Sequence, residues 1–439
     1  MTEVLANAEF LLAKRKQFVP NAIGIFNPST AVSAKGSLIT DADGHEMIDF
    51  AGGIGVVNAG HCPPTVVEAI AKQAATMIHC SFNVATYAVY LQLAEKLALL
   101  FPHGKDTKVM LTNSGTESIE NAIKIARQST GRNAIICYGG AFHGRTMMAM
   151  TLTSKVGYKS GCGPFAPEVY RIPFPDFYRY GKGLNLDEFS DIHLRELENF
   201  FQTTVAAEKV AAILIEPVQG EGGFNVVPKK YLEGLRMVCD KYGILLILDE
   251  VQSGFGRTGK WAAYQHYDVV PDISTWAKSM GSGMPIGAVI GKMSVMDACS
   301  PSTIGGTYPG NPVCCAAAIA TLDYMEMVDI NKLGEHVGNY VRERFNIMKK
   351  KFPAIGDVRG LGAMMAFELV KNKDPFQPDA VLCKKLIGYC ADHGLIVISA
   401  GLQGNIIRVL SPLVIGQELL EKGLDIIEQG LETLTKQDS

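Results

Sequence analysis

Two residues define the chemistry open to this chain: Asp249, which follows the apolar run Ile244–Leu248, and Lys278, in Trp276-Ala277-Lys278-Ser279. Large apolar residues without alternation describe a strand buried on both faces, the pattern of a parallel sheet covered by helices. Functional groups in such sheets gather just past the carboxyl ends of the strands, where Asp249 falls. A carboxylate there, with a lysine able to return to it, suits a pyridine-ring cofactor held through a Schiff base.

Other strand ends carry similar cargo. Val109–Thr112 runs into Asn113-Ser114-Gly115-Thr116, and a helix follows with Ile119, Ala122, Ile123 and Ala126 on one face. Ser114 and Glu117 have capping-box spacing, so the turn is either a well-made helix start or an anion seat that offers backbone N–H groups and two hydroxyls to a phosphate. Ala134–Tyr138 ends in a glycine-rich turn holding Phe142, His143 and Arg145, a mixture that fits a site better than a solvated loop. Ala211–Ile215 delivers Glu216 and Glu221, and Pro228 then opens a helix that Gly243 closes before the next strand, a βαβ unit. These ends are expected to converge. Arg408 lies inside the apolar strand Ile406–Leu410 and needs a partner, a structural carboxylate or a substrate.

The elements around these residues belong to an ordinary globular chain. It has 439 residues, 47% hydrophobic and 19% charged, with a net charge of -3, which favours a small-molecule partner over nucleic acid or an anionic membrane. No run of about 18 apolar residues suggests a membrane span. The ten cysteines show neither Cys-x-x-Cys nor zinc spacing, the first residues lack the order of a secretory leader, and a cytoplasmic location is expected. Asp41–Gly44 suits a hairpin turn, Pro63-Pro64 a helix start with Val66, Ile70 and Ala74 on one face, and a long helical region from about 313 to 351 is expected to break near 329–333. Gly254–Gly259 mimics a dinucleotide fingerprint and, with Lys260, a Walker A loop, but it starts too far past its strand and ends on Trp261, which cannot bind Mg²⁺. A packing loop is the stronger reading. His61 beside Cys62 lacks further ligands, and no metal site is expected.

Leu248–Gly259, Ala277-Lys278-Ser279 and Asn113–Glu117 together resemble the class III aminotransferases, and the likeness spans nearly the whole chain. Gly144–Met147, Ile215–Gly223 and Gly305–Tyr308 are most similar to the family's γ-aminobutyrate-using branch. The resemblance implies an α/β, aspartate-aminotransferase-like architecture (fold type I), with a large domain over 61–328 and a small one from 1–60 and 329–439. It implies pyridoxal 5′-phosphate as cofactor. Lys278 would form the Schiff base and carry the proton, Asp249 would pair with the ring nitrogen, and Gln252 would bond the phenolic oxygen. Val251 and Phe142 would cover the two ring faces, with His143 nearby; many members carry tyrosine in place of Phe142. Ser114, Gly115 and Thr116 would hold the phosphate, joined by Thr307 from the other subunit of a homodimer or of a tetramer with shared sites. Arg145 would take a distal carboxylate and Arg408 the α-carboxylate of glutamate, Glu221 would neutralise Arg408 between times, and Ile54 would close the apolar wall. The implied reaction moves the amino group of 4-aminobutyrate to 2-oxoglutarate, giving succinate semialdehyde and glutamate. A 5-aminovalerate or ornithine-type aminotransferase, or an amino-acid racemase, is the alternative.

Overall fold

The computed structural model describes residues 7–27 and 29–436; residues 1–6, on which the leader reading rests, lie outside them. Strands β1 (Ser33–Lys35), β2 (Leu38–Thr40) and β3 (Glu46–Asp49) form antiparallel pairs, with the Asp41–Gly44 turn joining the last two. Asp41 fixes that turn by accepting from the Asp43 and His45 N–H groups, so the expected hairpin forms.

Seven strands make the central sheet: β4 (Thr107–Thr112), β5 (Ala134–Tyr138), β6 (Val169–Ile172), β7 (Val210–Ile215), β8 (Leu245–Asp249), β9 (Ile273–Trp276) and β10 (Gly287–Lys292). Their order is β4-β10-β9-β8-β7-β5-β6. Only β10 runs against its neighbours. β4, β5, β7, β8 and β9 therefore end on one side of the sheet, and the five stretches singled out above leave from those ends. Every residue of β5 and β7 is buried, as their unbroken apolar runs require. Each large aliphatic side chain buried in this way stabilises the fold by about 1.5–3 kcal/mol.

The helix Lys229–Tyr242 crosses from β7 to β8 and buries Leu232, Leu235, Val238 and Cys239; Gly243, at φ 63°, caps it in the left-handed conformation. The helix Pro64–Thr76 also forms, but it buries Val66 alone, and Ile70 and Ala74 are half-buried. The long helical region divides into Pro312–Met327 and Ile330–Lys351, with the break at Val328-Asp329 and Asp329 at φ 51°. Strands β11 (Ile355–Leu361), β12 (Met364–Leu369), β13 (Leu395–Ile396), β14 (Ile398–Ala400) and β15 (Ile406–Val409) follow, with the helices Ala380–Asp392 and Gln417–Lys436. β13 pairs with β3, so one sheet joins the beginning of the chain to its end, while β11-β12-β15-β14 form another.

The Gly254 loop is a packing loop. A Cβ on Gly254 would come within 2.5 Å of the Trp276 ring, and the loop opens no α-helix to seat a pyrophosphate, only the short 3-10 turn Ala263–His266 further on. Arg257 in this loop is fully buried and donates to the Ser411 carbonyl at 2.8 Å and to Asn58.

Candidate active site

At the shared strand ends lies a cavity of about 940 Å³. Asp249, the last residue of β8, forms its buried floor. His143 Nδ1 lies 2.7 Å from Asp249 Oδ2, and the Thr275 hydroxyl and Val251 N–H donate to Oδ1 at 3.1 Å. The carboxylate is thus aimed from two sides before anything binds. Glu216, at the end of β7, accepts from the Phe142 and Gly220 N–H groups. Burial, reinforced by the nearby Asp249 carboxylate, pushes its carboxyl up to about 7.

Lys278 follows β9 with φ 50°, a left-handed backbone that costs a non-glycine residue of order 1–3 kcal/mol and is found where surrounding structure enforces it. Its side chain is half-buried and lines the cavity. Burial pulls the ammonium down to about 8 against the pull of the Glu221 carboxylate, while Arg408 opposes its charge further. An amine so placed is part neutral near physiological pH.

Asn113–Thr116 connects β4 to the helix Gly115–Thr130, which buries Ile119, Ala122, Ile123 and Ala126. Half of the expected capping box forms. Ser114 Oγ accepts from Glu117 N–H at 3.4 Å, but the Glu117 carboxylate returns to Asn113 N–H at 2.8 Å, one residue short of Ser114. The first N–H groups of the helix have no intrahelical partner, and Ser114, Gly115 and Thr116 line the cavity at that helix start. Gly115 is needed for close approach, since a Cβ there would come within 2.9 Å of Val251 Cγ1.

On the other side, Arg408 in β15 is buried and its Nη1 lies 2.6 Å from Glu221 Oε1. Its partner is therefore a carboxylate of the chain. Burial would raise Glu221, but Arg408 outweighs it and holds the carboxyl below its ordinary range. Arg145 is exposed at the rim, its guanidinium 4.8 Å from the Tyr158 ring centre and 6.0 Å from that of Phe142. Ile54, at φ 67°, lines the cavity from a turn that Asp49 ties down by accepting from the Ala51 and Gly52 N–H groups. His61 lies 2.8 Å from Asp49 Oδ2, which gives it a loop-anchoring role.

Ser114, Gly115, Thr116, Phe142, His143, Arg145, Glu221, Asp249, Val251, Gln252, Lys278 and Ile54 all line this one cavity. Arg408 reaches it through Glu221. Thr307 does not line it and is exposed in the loop before Pro312. Glu216, Thr275 and Tyr158 also belong to the site, though no role was assigned to them from sequence. Glu216 had the signal of a strand-end acid, whereas Thr275 and Tyr158 had none beyond proximity in the chain to Lys278 and Arg145.

The model for class III aminotransferases matches residues 25–431. This chain belongs to that family. It is 45% identical over 419 residues to a probable 4-aminobutyrate aminotransferase of Bacillus subtilis, covering 95% of this chain and 96% of the relative. It is 42% identical to a 5-aminovalerate aminotransferase of Pseudomonas putida, covering 96% and 97%. Among solved structures, taurine:2-oxoglutarate aminotransferase of Bifidobacterium kashiwanohense, in complex with pyridoxal phosphate and glutamate, superposes with a TM-score of 0.90 at 28% identity over 98% of each chain. The architecture is that of fold type I, and the family's cofactor is pyridoxal 5′-phosphate. The residues present fit that group: a helix start for a phosphate, a buried carboxylate for a ring nitrogen, an amine lining the cavity, and Gln252, whose buried Oε1 has no hydrogen-bond partner among the described residues.

Proposed function

We propose that this aminotransferase takes the amino group of an ω-amino monocarboxylate, 4-aminobutyrate foremost, and passes it to 2-oxoglutarate, with succinate semialdehyde and glutamate as products. The observation that carries the reading is the 2.6 Å pair between Arg408 and Glu221 in a cavity that Arg145 also lines. 4-Aminobutyrate has one carboxylate, remote from its amine, and glutamate has two. Arg145 binds the distal carboxylate of either, since a planar guanidinium matches a carboxylate with two parallel hydrogen bonds. Arg408 binds the α-carboxylate of glutamate. With a monocarboxylate present Glu221 keeps Arg408 neutralised, and with glutamate it turns away.

The bound cofactor supplies a ring that accepts the electron pair left when the substrate carbon loses its proton. Asp249, kept in place by His143 and Thr275, would hold the ring nitrogen; Ser114, Gly115 and Thr116 would hold the phosphate; Val251 and Phe142 would pack on the ring faces. Lys278 Nζ, neutral in part at pH 8, takes the proton from the substrate carbon and returns it. Ile54 keeps water from the apolar wall. Exposed Thr307 supports a homodimer, or a tetramer of such dimers, in which it completes a neighbour's phosphate seat. The ten free cysteines support a reducing, cytoplasmic location.

The Pseudomonas relative's name favours 5-aminovalerate as a second reading, because one methylene changes binding by only about 1–3 kcal/mol. An amino-donor panel with 2-oxoglutarate, read as glutamate formed, decides. The highest kcat/KM is expected for 4-aminobutyrate. A lead for 5-aminovalerate selects the second reading, and a lead for ornithine, or racemisation of an amino acid without 2-oxoglutarate, overturns both.

A further inference from the structure

Tyr158 lies between the two carboxylate-reading groups, in the short turn Val156–Tyr158. Its ring faces the Arg145 guanidinium at 4.8 Å, and its hydroxyl donates to Glu221 Oε2 at 3.4 Å. Glu221 Oε1 meanwhile lies 2.6 Å from Arg408 Nη1. We propose that Tyr158 is a specificity-determining positioning residue: its hydroxyl receives the Glu221 carboxylate when a dicarboxylate displaces it from Arg408, and its ring steadies Arg145. The inference rests on the two-substrate reading above.

The argument is one of satisfying a buried charge. The Glu221 side chain is 14% exposed and that of Arg408 2%, so a carboxylate pushed off Arg408 stays largely out of water. An unpaired buried charge is costly, and a route that left Glu221 without a donor would oppose binding of the second substrate. Among the described residues, the side chains that donate to Glu221 are Arg408 and Tyr158. At 3.4 Å the phenol contributes little while Arg408 holds the carboxylate. A released Glu221 can draw the same hydroxyl to a charge-assisted distance of roughly 2.5–2.7 Å.

The hydroxyl is also kept within reach independently of the Glu221 side chain. Lys155 Nζ donates to the Gly401 carbonyl at 3.1 Å, and Gly401 N–H donates to the Glu221 carbonyl at 2.9 Å. The segment carrying Tyr158 is thereby tied to the backbone of Glu221 through one glycine, by contacts that do not involve the Glu221 carboxylate.

The test compares donors in the cofactor-loaded full chain. Tyr158→Phe is expected to raise KM for glutamate roughly tenfold while KM for 4-aminobutyrate stays within about twofold, the loss of one hydrogen bond to a charged group felt by one substrate only. In the cofactor-free chain, calorimetry should show weaker glutarate binding and unchanged butyrate binding. Tyr158→Leu, which also removes the ring beside Arg145, should raise KM for both donors. On a Glu221→Gln background the effect of Tyr158→Phe should vanish, because no charge then needs a second partner. Equal shifts for both donors, no shift, or an effect that persists beside Glu221→Gln would overturn the inference. A wild type that uses neither donor removes the two-substrate reading and this inference with it; a wild type that uses both, with an unselective Tyr158→Phe, overturns this inference alone.

Discussion

The floor and the rim of the cavity are built on opposite plans. At the floor, Asp249, His143 and Glu216 are buried and held by contacts of 2.7–3.2 Å, Lys278 is half-buried beside them, and all four come from the ends of adjacent parallel strands or the turns that follow them. At the rim, Arg145 is exposed, Tyr158 is half-buried, and the pair Glu221–Arg408 joins a loop after β7 to a strand some 190 residues later. On the proposed reading the floor would supply one proton carrier and one ring partner, which any amino-group transfer needs. The rim holds charges that can exchange partners, which is what two unlike substrates need. That reading puts reaction class and substrate choice in separate parts of one pocket.

The comparison breaks most sharply at Lys278. Lys278→Ala should lower turnover with every donor alike, by roughly 10⁴-fold, the upper range for a positioned proton carrier. Retention of even a tenth of wild-type kcat, or a loss confined to one donor, would show that the floor also selects substrate. At the rim, Arg408→Lys exchanges a planar fork for a point charge. KM for glutamate should rise about tenfold and that for 4-aminobutyrate little, a difference read by steady-state kinetics on the two donors. Comparable losses on both would merge the two regions into one.

The smallest effect concerns how the floor's charges are maintained. Glu216 has its carboxyl raised from 4.5 to about 7, so the folded chain binds more protons than the unfolded chain between those values. Its contribution is fully present below pH 4.5 and is lost as pH rises through 7. Glu216→Gln should flatten the fall in stability of the cofactor-free chain across that window, measured as urea midpoints at pH 5 and 7.5. An unchanged slope would assign the titration to another group.

Much of the floor was legible from the residues alone. A strand buried on both faces must be apolar throughout, so β5, β7 and β8 announced themselves, and a charged residue directly after such a run falls at a strand end by necessity. The two glycine-rich stretches show the limit. Asn113–Thr116 and Gly254–Gly259 both follow strands and both resemble anion seats, yet the first opens a helix onto the cavity and the second packs against Trp276. Spacing from the strand distinguished them, but the packing partner could not be read. The capping box was misplaced by one residue because side-chain reach depends on the turn's geometry, not on the interval between Ser114 and Glu117.

The sequence by itself determined the set of groups: a lysine beyond a buried strand, a strand-end acid, a helix start that could seat an anion, and an arginine too apolar in its surroundings to lack a partner. These follow from local patterns, since burial and strand ends are imposed by neighbouring residues. Only the tertiary structure decided that Arg408 meets Glu221, that His143 and Thr275 fix Asp249, and that Tyr158 spans Arg145 and Glu221. Such contacts join segments that no periodicity relates, and the closing of sheets and loops around the strand ends brings them within hydrogen-bonding distance.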